Sequence, residues 1–175
     1  MCLLACRTLG IAALIALTVT QALAASVSSP DGRTDVTVTL TDDGRPQYAV
    51  HFDGEPVILP SHLGLVFRDD ANLDEGFSIV AETTTSADSA WEQPWGERRL
   101  VRDHYNELRV TFAANDPDRR FSMRFRVHDD GVGFRFEVPA QDAFDTLVID
   151  DELTEFRLPV VAIGWWTPGR GWNRY

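Results

Sequence analysis

Along most of its length the chain alternates apolar and polar residues, one by one, in short runs closed by Asp, Gly, Asn or Pro. Thr34 to Thr41 reads TDVTVTLT, with Val36, Val38 and Leu40 on one face, and the DDGR of Asp42 to Arg45 is turn chemistry. A second strand is predicted over Gln47 to Phe52, ending at Asp53-Gly54, followed by apolar segments at Val57-Ile58-Leu59 and Leu63 to Phe67. Glu107 to Phe112 (ELRVTF), Phe121 to Val127 (FSMRFRV) and Val132 to Val138 (VGFRFEV) repeat the pattern. In FSMRFRV, Phe121, Met123, Phe125 and Val127 alternate with Ser122, Arg124 and Arg126, which is the period of a strand and not of a helix. HDDGVG, His128 to Gly133, joins two of these strands and puts Asp130-Gly131 at the centre of a predicted hairpin.

No window of ordinary helix length carries an amphipathic helical pattern, so the reading is all-β, an antiparallel β-sandwich. The polar stretch Ala81 to Ala90 (AETTTSADSA) reads as a long strand or an edge connection, since a sheet with a solvated face needs polar residues there.

The first residues read differently. Arg7, the apolar stretch Leu9 to Val19 and the small-x-small site Ala22-Leu23-Ala24 predict a signal peptide over residues 1–24, cleaved after Ala24, and hence a secreted or periplasmic protein. The apolar run is too short to span a bilayer, which takes about 20 residues. No membrane association is expected after its removal. Cys6 has only five residues before it, too few for a lipoprotein signal, and Cys2 and Cys6 both fall in the segment to be removed. The remaining domain, residues 25–175, has no disulfide to hold it. It is one domain's worth of chain, about 150 residues, able to bury about two-thirds of its unfolded surface.

Charge removes one class of partner. Acidic residues outnumber basic ones 27 to 16, the net charge is -11, and every basic residue is arginine. Nucleic acid, which calls for a basic surface, is excluded as a partner.

The densest chemistry lies in WEQPWGERRLVRDHYNEL, Trp91 to Leu108. A flat aromatic beside carboxylates and arginines is sugar-site chemistry. The plainer reading, and the one composition favours, makes Trp91 and Trp95 sandwich core and Glu97, Arg98, Arg99, Arg102 and Asp103 an exposed charge ladder. Asp150, Asp151, Glu152 and Glu155 in IDDELTEF have the oxygens a calcium ion needs, although a run of acids is more often a solvated loop or strand edge. His51, His62, His104 and His128 are scattered and read as surface residues. The chain closes on WWTPGRGWNRY, Trp165 to Tyr175, an aromatic surface suited to a sugar or to a partner domain.

Taken in order, SHLGLVF (Ser61 to Phe67), WEQPWGERRLVRDHYNEL, FRVHDDGVGFRFEVP (Phe125 to Pro139), DELTEFRLP (Asp151 to Pro159) and WWTP (Trp165 to Pro168) resemble the amino-terminal domain of glycoside hydrolase family 97, over about Val27 to Tyr175. The resemblance implies a super-sandwich of the galactose-mutarotase-like, carbohydrate-binding type, packed against a (β/α)8 barrel that follows in the same polypeptide. It also implies an exported bacterial enzyme acting on an oligosaccharide or other α-glycoside, glucoside or galactoside, with calcium beside the catalytic carboxylates. Those carboxylates belong to the barrel. A barrel needs about 250 residues, so the chain is expected to be an incomplete front portion, not catalytic as it stands.

On the same footing, the substrate-binding candidates are Trp172, Asn173, Arg174 and Tyr175, nearest the expected cleft, with Arg102, Asp103, His104, Asn106 and Glu107 as a second set. The family's calcium site takes one glutamate from this domain, expected just past Tyr175, with Glu155 as the candidate inside the chain. Two other readings stand beside this one. A stand-alone, non-catalytic carbohydrate-binding sandwich would need no barrel. A mutarotase-like epimerase would need a His/Glu acid–base pair, but His104 and Glu107, three apart in a strand, point to opposite faces.

Overall fold

The computed structural model describes residues 24–115, 118–142, 146–159 and 163. They form ten strands: β1 (Ala25–Ser28), β2 (Thr34–Leu40), β3 (Pro46–Phe52), β4 (Glu55–His62), β5 (Leu65–Phe67), β6 (Ser78–Glu92), β7 (Leu100–Asn115), β8 (Asp118–His128), β9 (Gly131–Glu137) and β10 (Ile149–Glu152). No helix occurs among the described residues. Every pairing is antiparallel, in a first sheet of order β1-β2-β3-β4, a second of order β6-β7-β8-β9, and a small β10-β5 ladder. The all-β antiparallel sandwich read from the sequence is the fold observed.

The two large sheets bury their apolar faces against each other. Val27, Val36, Val38, Tyr48 and Val50 from the first meet Leu108, Val110, Phe112, Phe121, Met123, Phe125 and Val127 from the second, and Leu63, Leu65, Phe67, Leu73 and Phe77 close one end. Every member from a strand is one of an alternating set, which is why strict period two sufficed to find the core. Aromatic rings interlock through it: Phe112 stacks on Phe121 at 4.9 Å, Phe77 meets Phe121 edge-on at 5.0 Å, and Tyr48 lies 5.2 Å from Phe134. Burial pushes the Tyr48 phenol up to about 12, so its hydroxyl stays protonated and donates to the Glu155 carbonyl at 2.9 Å.

Turn chemistry sets the registers. Asp53 and Gly54 both take positive φ, 51° and 82°, the type I′ geometry that the Asp-Gly pair favours, and Phe52 then faces Glu55 across the β3–β4 hairpin. Gly44, at φ 75°, lets the β2–β3 turn lie against Phe77, whose backbone N and O would both stand 2.6 Å from an added Cβ. Pro56 and Pro60 sit in β4, an edge strand of its sheet, where a missing N–H costs least.

One sequence expectation changes in detail and another is met. The β8–β9 turn is Asp129-Asp130, because Gly131 already pairs with His128, one residue earlier than the Asp-Gly signal placed it. Ala81 to Ala90 is strand, part of β6, at the edge of the second sheet. Past Asn106 and Val127, β8 stops pairing with β7, so the far ends of β6 and β7 continue as a two-stranded arm.

Candidate functional site

That arm carries Trp91 and Trp95 away from the core in which the sequence pattern places them. Trp91 is 52% and Trp95 83% exposed, so neither is core. They lie at the end of the arm, beyond the reach of the first sheet, where no apolar layer exists to cover them. The charge ladder expected there forms with other partners: Arg102 pairs with Asp88 and Arg99 with Glu92, while Glu97 and Arg98 make no ion pair among the described residues. Gln93, Trp95, Gly96 and Arg99 border a shallow open recess at the tip.

The second predicted set is divided by the alternation of β7. Arg102, His104 and Asn106 share the face of Leu108 and the core, whereas Asp103 and Glu107 belong to the outer face. Asn106 donates from Nδ2 to the Ser28 carbonyl at 2.8 Å, tying β7 to β1, and accepts from Ser86 Oγ at 2.6 Å. Arg102 holds Asp88 in a two-point bond, Nε to Oδ1 and Nη2 to Oδ2 both at 2.7 Å, and the bond keeps the Asp88 carboxyl below its usual range. His104 has its Nδ1 enclosed and without a hydrogen-bond partner among the described residues. Arg102, His104, His128, Asp129 and Asp130 frame a small polar recess of about 230 Å³. His104 and Glu107 do not converge, so no acid–base pair of the epimerase kind forms there. None of the four histidines is fully exposed: His51, His62, His104 and His128 are all half-buried.

Glu107 is instead part of a charged lattice on the outer face of the second sheet that the sequence reading did not foresee. Its Oε1 accepts from Arg124 Nη1 at 2.6 Å and its Oε2 from Arg126 Nε at 2.7 Å. Glu137 accepts from Arg124 Nε at 2.7 Å, Arg135 Nη2 at 2.8 Å and Arg109 Nε at 3.1 Å. These hydrogen bonds, Arg124's first, hold the Glu137 carboxyl down to about 2 and raise the Arg124 guanidinium above its ordinary value. Arg126 also lies over the Tyr105 ring, 4.4 Å from its centre. The signal for this lattice was present in FSMRFRV and VGFRFEV, whose arginines fill the outward positions between core residues.

A third recess, of about 430 Å³, opens between the ends of the two sheets, with Phe52, Val57, Ile58 and Val132 as its apolar floor and Asp129 and Asp130 at its rim. The Arg33 guanidinium covers one side of Phe52 at 4.5 Å while pairing with Asp53. An apolar surface with carboxylates at its edge can seat the weakly polar face of a sugar ring and accept hydrogen bonds from its hydroxyls.

The acid run at the β10 end is engaged residue by residue. Asp150 pairs with Arg68 at 2.7 Å, Asp151 caps the Glu152 amide at 2.8 Å, Glu152 accepts from Thr154 at 2.6 Å, and Glu155 Oε2 accepts from the His62 amide at 3.0 Å. Among the described residues, no group of three His, Cys, Asp or Glu is arranged to hold a metal ion. The segment containing Glu155 is pinned along β4 by amide bonds from Leu59 to the Arg157 carbonyl and from Glu155 to the His62 carbonyl. Trp165, Trp166, Trp172, Asn173, Arg174 and Tyr175, like the predicted signal peptide up to residue 23, lie outside the described residues.

Comparison with known proteins decides the family. The family described as "Glycosyl-hydrolase 97 N-terminal" matches residues 27–175. The chain belongs to it. A solved glycoside hydrolase family 97 enzyme from Pseudoalteromonas sp. strain K8, in complex with panose, superposes with a TM-score of 0.79 at 41% identity over 86% of this chain. Among curated proteins, a retaining alpha-galactosidase of Bacteroides thetaiotaomicron is 25% identical over 111 residues, 63% of this chain, and a probable retaining alpha-galactosidase of Streptomyces bingchenggensis 29% identical over 143 residues, 80% of it. This family 97 N-terminal domain spans only 23% of the solved relative's chain and 16% and 22% of the two curated ones.

Proposed function

We propose that the chain is the front portion of an exported, calcium-dependent, exo-acting α-glycosidase, an α-glucosidase or α-galactosidase, and that it supports a catalytic (β/α)8 barrel and borders its sugar cleft without being catalytic itself. The observation that carries this reading is the coupling of 41% identity over 86% of the chain with coverage of only 23% of a family 97 enzyme that binds panose. Chemistry agrees with it. Glycoside hydrolysis asks for a pair of carboxyls, one of them able to give up a proton near neutral pH. Two acids of the outer face, Glu107 and Glu137, are consumed by arginines, and Glu137 is held down to about 2, where it has no proton to give.

Calcium takes six to eight oxygens. Glu155 has one carboxylate oxygen, Oε1, outside the hydrogen bond to His62, and is the donor we assign within the chain, the rest coming from polypeptide beyond the described residues. Trp172, Asn173, Arg174 and Tyr175 are the contacts we assign to the cleft. A second reading, a carbohydrate-binding sandwich acting alone, draws on the recess around Phe52 with Asp129 and Asp130 at its rim.

The deciding experiment reads the gene past the codon for Tyr175 and compares the extended product with residues 25–175 for hydrolysis of aryl α-galactosides and α-glucosides. We expect an open frame long enough for a barrel, about 250 codons or more, with turnover from the extended product alone. Turnover by clean residues 25–175, or a stop codon after Tyr175 together with glycan binding, overturns the glycosidase reading.

A further inference from the structure

The outer face of β7, β8 and β9 is arranged against its own stability. Register places Arg109 opposite Arg124 and Arg124 opposite Arg135, so three guanidinium groups stand in one row across three strands. Like charges directly opposite one another destabilise a sheet. A ladder selected for strength would alternate signs along that row. Here the counter-charges, Glu107 and Glu137, come from the neighbouring rows, and two carboxylates answer four guanidiniums, those of Arg109, Arg124, Arg126 and Arg135. A chain of net charge -11 thus carries a locally positive face.

The same face has a vacancy in its side-chain layer. Gly133 pairs with Arg126 and Gly131 with His128, and a Cβ added at either glycine would meet nothing within 4 Å. Arg124, Arg126, His128, Gly133 and Arg135 border a recess of about 240 Å³ there. Arg126 spends only Nε on Glu107, and Arg135 only Nε and Nη2 on Glu137. Among the described residues, both terminal nitrogens of Arg126 and Nη1 of Arg135 have no acceptor.

We infer that this shelf is a binding site for a small oxyanion, a carboxylate or phosphate group carried on a molecule no larger than about one sugar ring, held by Arg126 and Arg135 above Gly133. Guanidinium forks match the planar edge of such a group, and the unspent terminal nitrogens of Arg126 and Arg135 supply the donors. The site is independent of the glycosidase reading, since it uses neither the sugar cleft nor a metal.

The test is calorimetric titration of the purified chain with inorganic phosphate, with galacturonate and with neutral galactose, at about 20 mM and about 500 mM salt. Saturable binding of phosphate, of galacturonate or of both, weakened by salt and absent with galactose, is expected, and which of the two binds names the source of the oxyanion. Arg126→Gln should weaken binding at least tenfold. Because that change also frees Glu107, the cleaner variant is Gly133→Val, which fills the shelf and leaves every charge in place. It should abolish binding while the thermal midpoint stays within that of the parent protein. No binding of either anion, equal binding of galactose, or full binding by folded Gly133→Val overturns the inference.

Discussion

Replacing Glu137 by Gln removes the one carboxylate that three arginines share. The Glu137 side chain is 22% exposed and its pKa falls from 4.5 to about 2, an interaction worth about 3 kcal/mol if none of it were screened. Water at that face roughly halves the figure, to about 1.5 kcal/mol, which for a domain of this size is a fall of about 3–6 °C in the thermal midpoint. The sign with pH follows from the direction of the displacement. A carboxyl whose folded value is depressed stabilises the fold fully above about 4.5 and loses that contribution as pH falls through about 2. Urea unfolding of the parent and of Glu137→Gln, run from pH 7 down to pH 3, should therefore show a gap near 1.5 kcal/mol that shrinks by more than half by pH 3, on the order set by those two values. Other carboxylates titrate in both proteins and cancel in the difference. A gap that stays constant with pH would show that the charge on Glu137 is not its source, and the account of the arginine row would fail with it.

Phe121 is fully buried between Phe77 and Phe112, and Phe121→Ala should cost about 3–5 kcal/mol in chemical denaturation. Gly44→Ala meets both a positive φ and the Phe77 backbone at 2.6 Å, and should destabilise by more than about 1 kcal/mol, whereas Gly133→Ala, with free space and no positive φ, should not destabilise at all. Trp95→Ser, at a position 83% exposed, should leave the unfolding midpoint unchanged and reduce self-association in sedimentation. Chelation with EGTA should leave the thermal midpoint of residues 25–175 where it was, because no cluster of ligands occurs among the described residues; a clear drop would place a complete calcium site within the chain.

What the sequence disclosed, and what it withheld, divides along the range of the interactions involved. β2, β3, β8 and β9 were legible because each alternates on its own, and the Asp53-Gly54 turn because two adjacent residues dictate it. The exposure of Trp91 and Trp95 was not, since β6 and the connection after it are ordinary in composition and their setting depends on β8 ending at His128, more than thirty positions away in the chain. The arginines at 124, 126 and 135 were readable as outward-facing. That 109, 124 and 135 line up in one row is a matter of register across two hairpins, which no single strand encodes. Of the site residues proposed from the sequence, His104 and Glu107 were correctly set on opposite faces, while the partners of Glu107 waited on the sheet.

The arm formed by β6 and β7 is also a lever. From the last three-stranded rung at Asn106 to Leu100, six residues of extended strand cover about 20 Å, first along the β8–β9 turn, where Tyr105 meets His128, and then out past it. β7 runs without a break into the core through Leu108, Val110 and Phe112, while β6 stays exposed along the sheet edge, so a load applied at Trp95 is carried by the β7 backbone to the centre of the sandwich. Its outer rungs have only each other for support and will exchange their amide hydrogens far sooner than those beneath them. The molecule thus pairs a stiff root with a pliant tip, the mechanical form of a part that adjusts to a surface while its anchorage holds still.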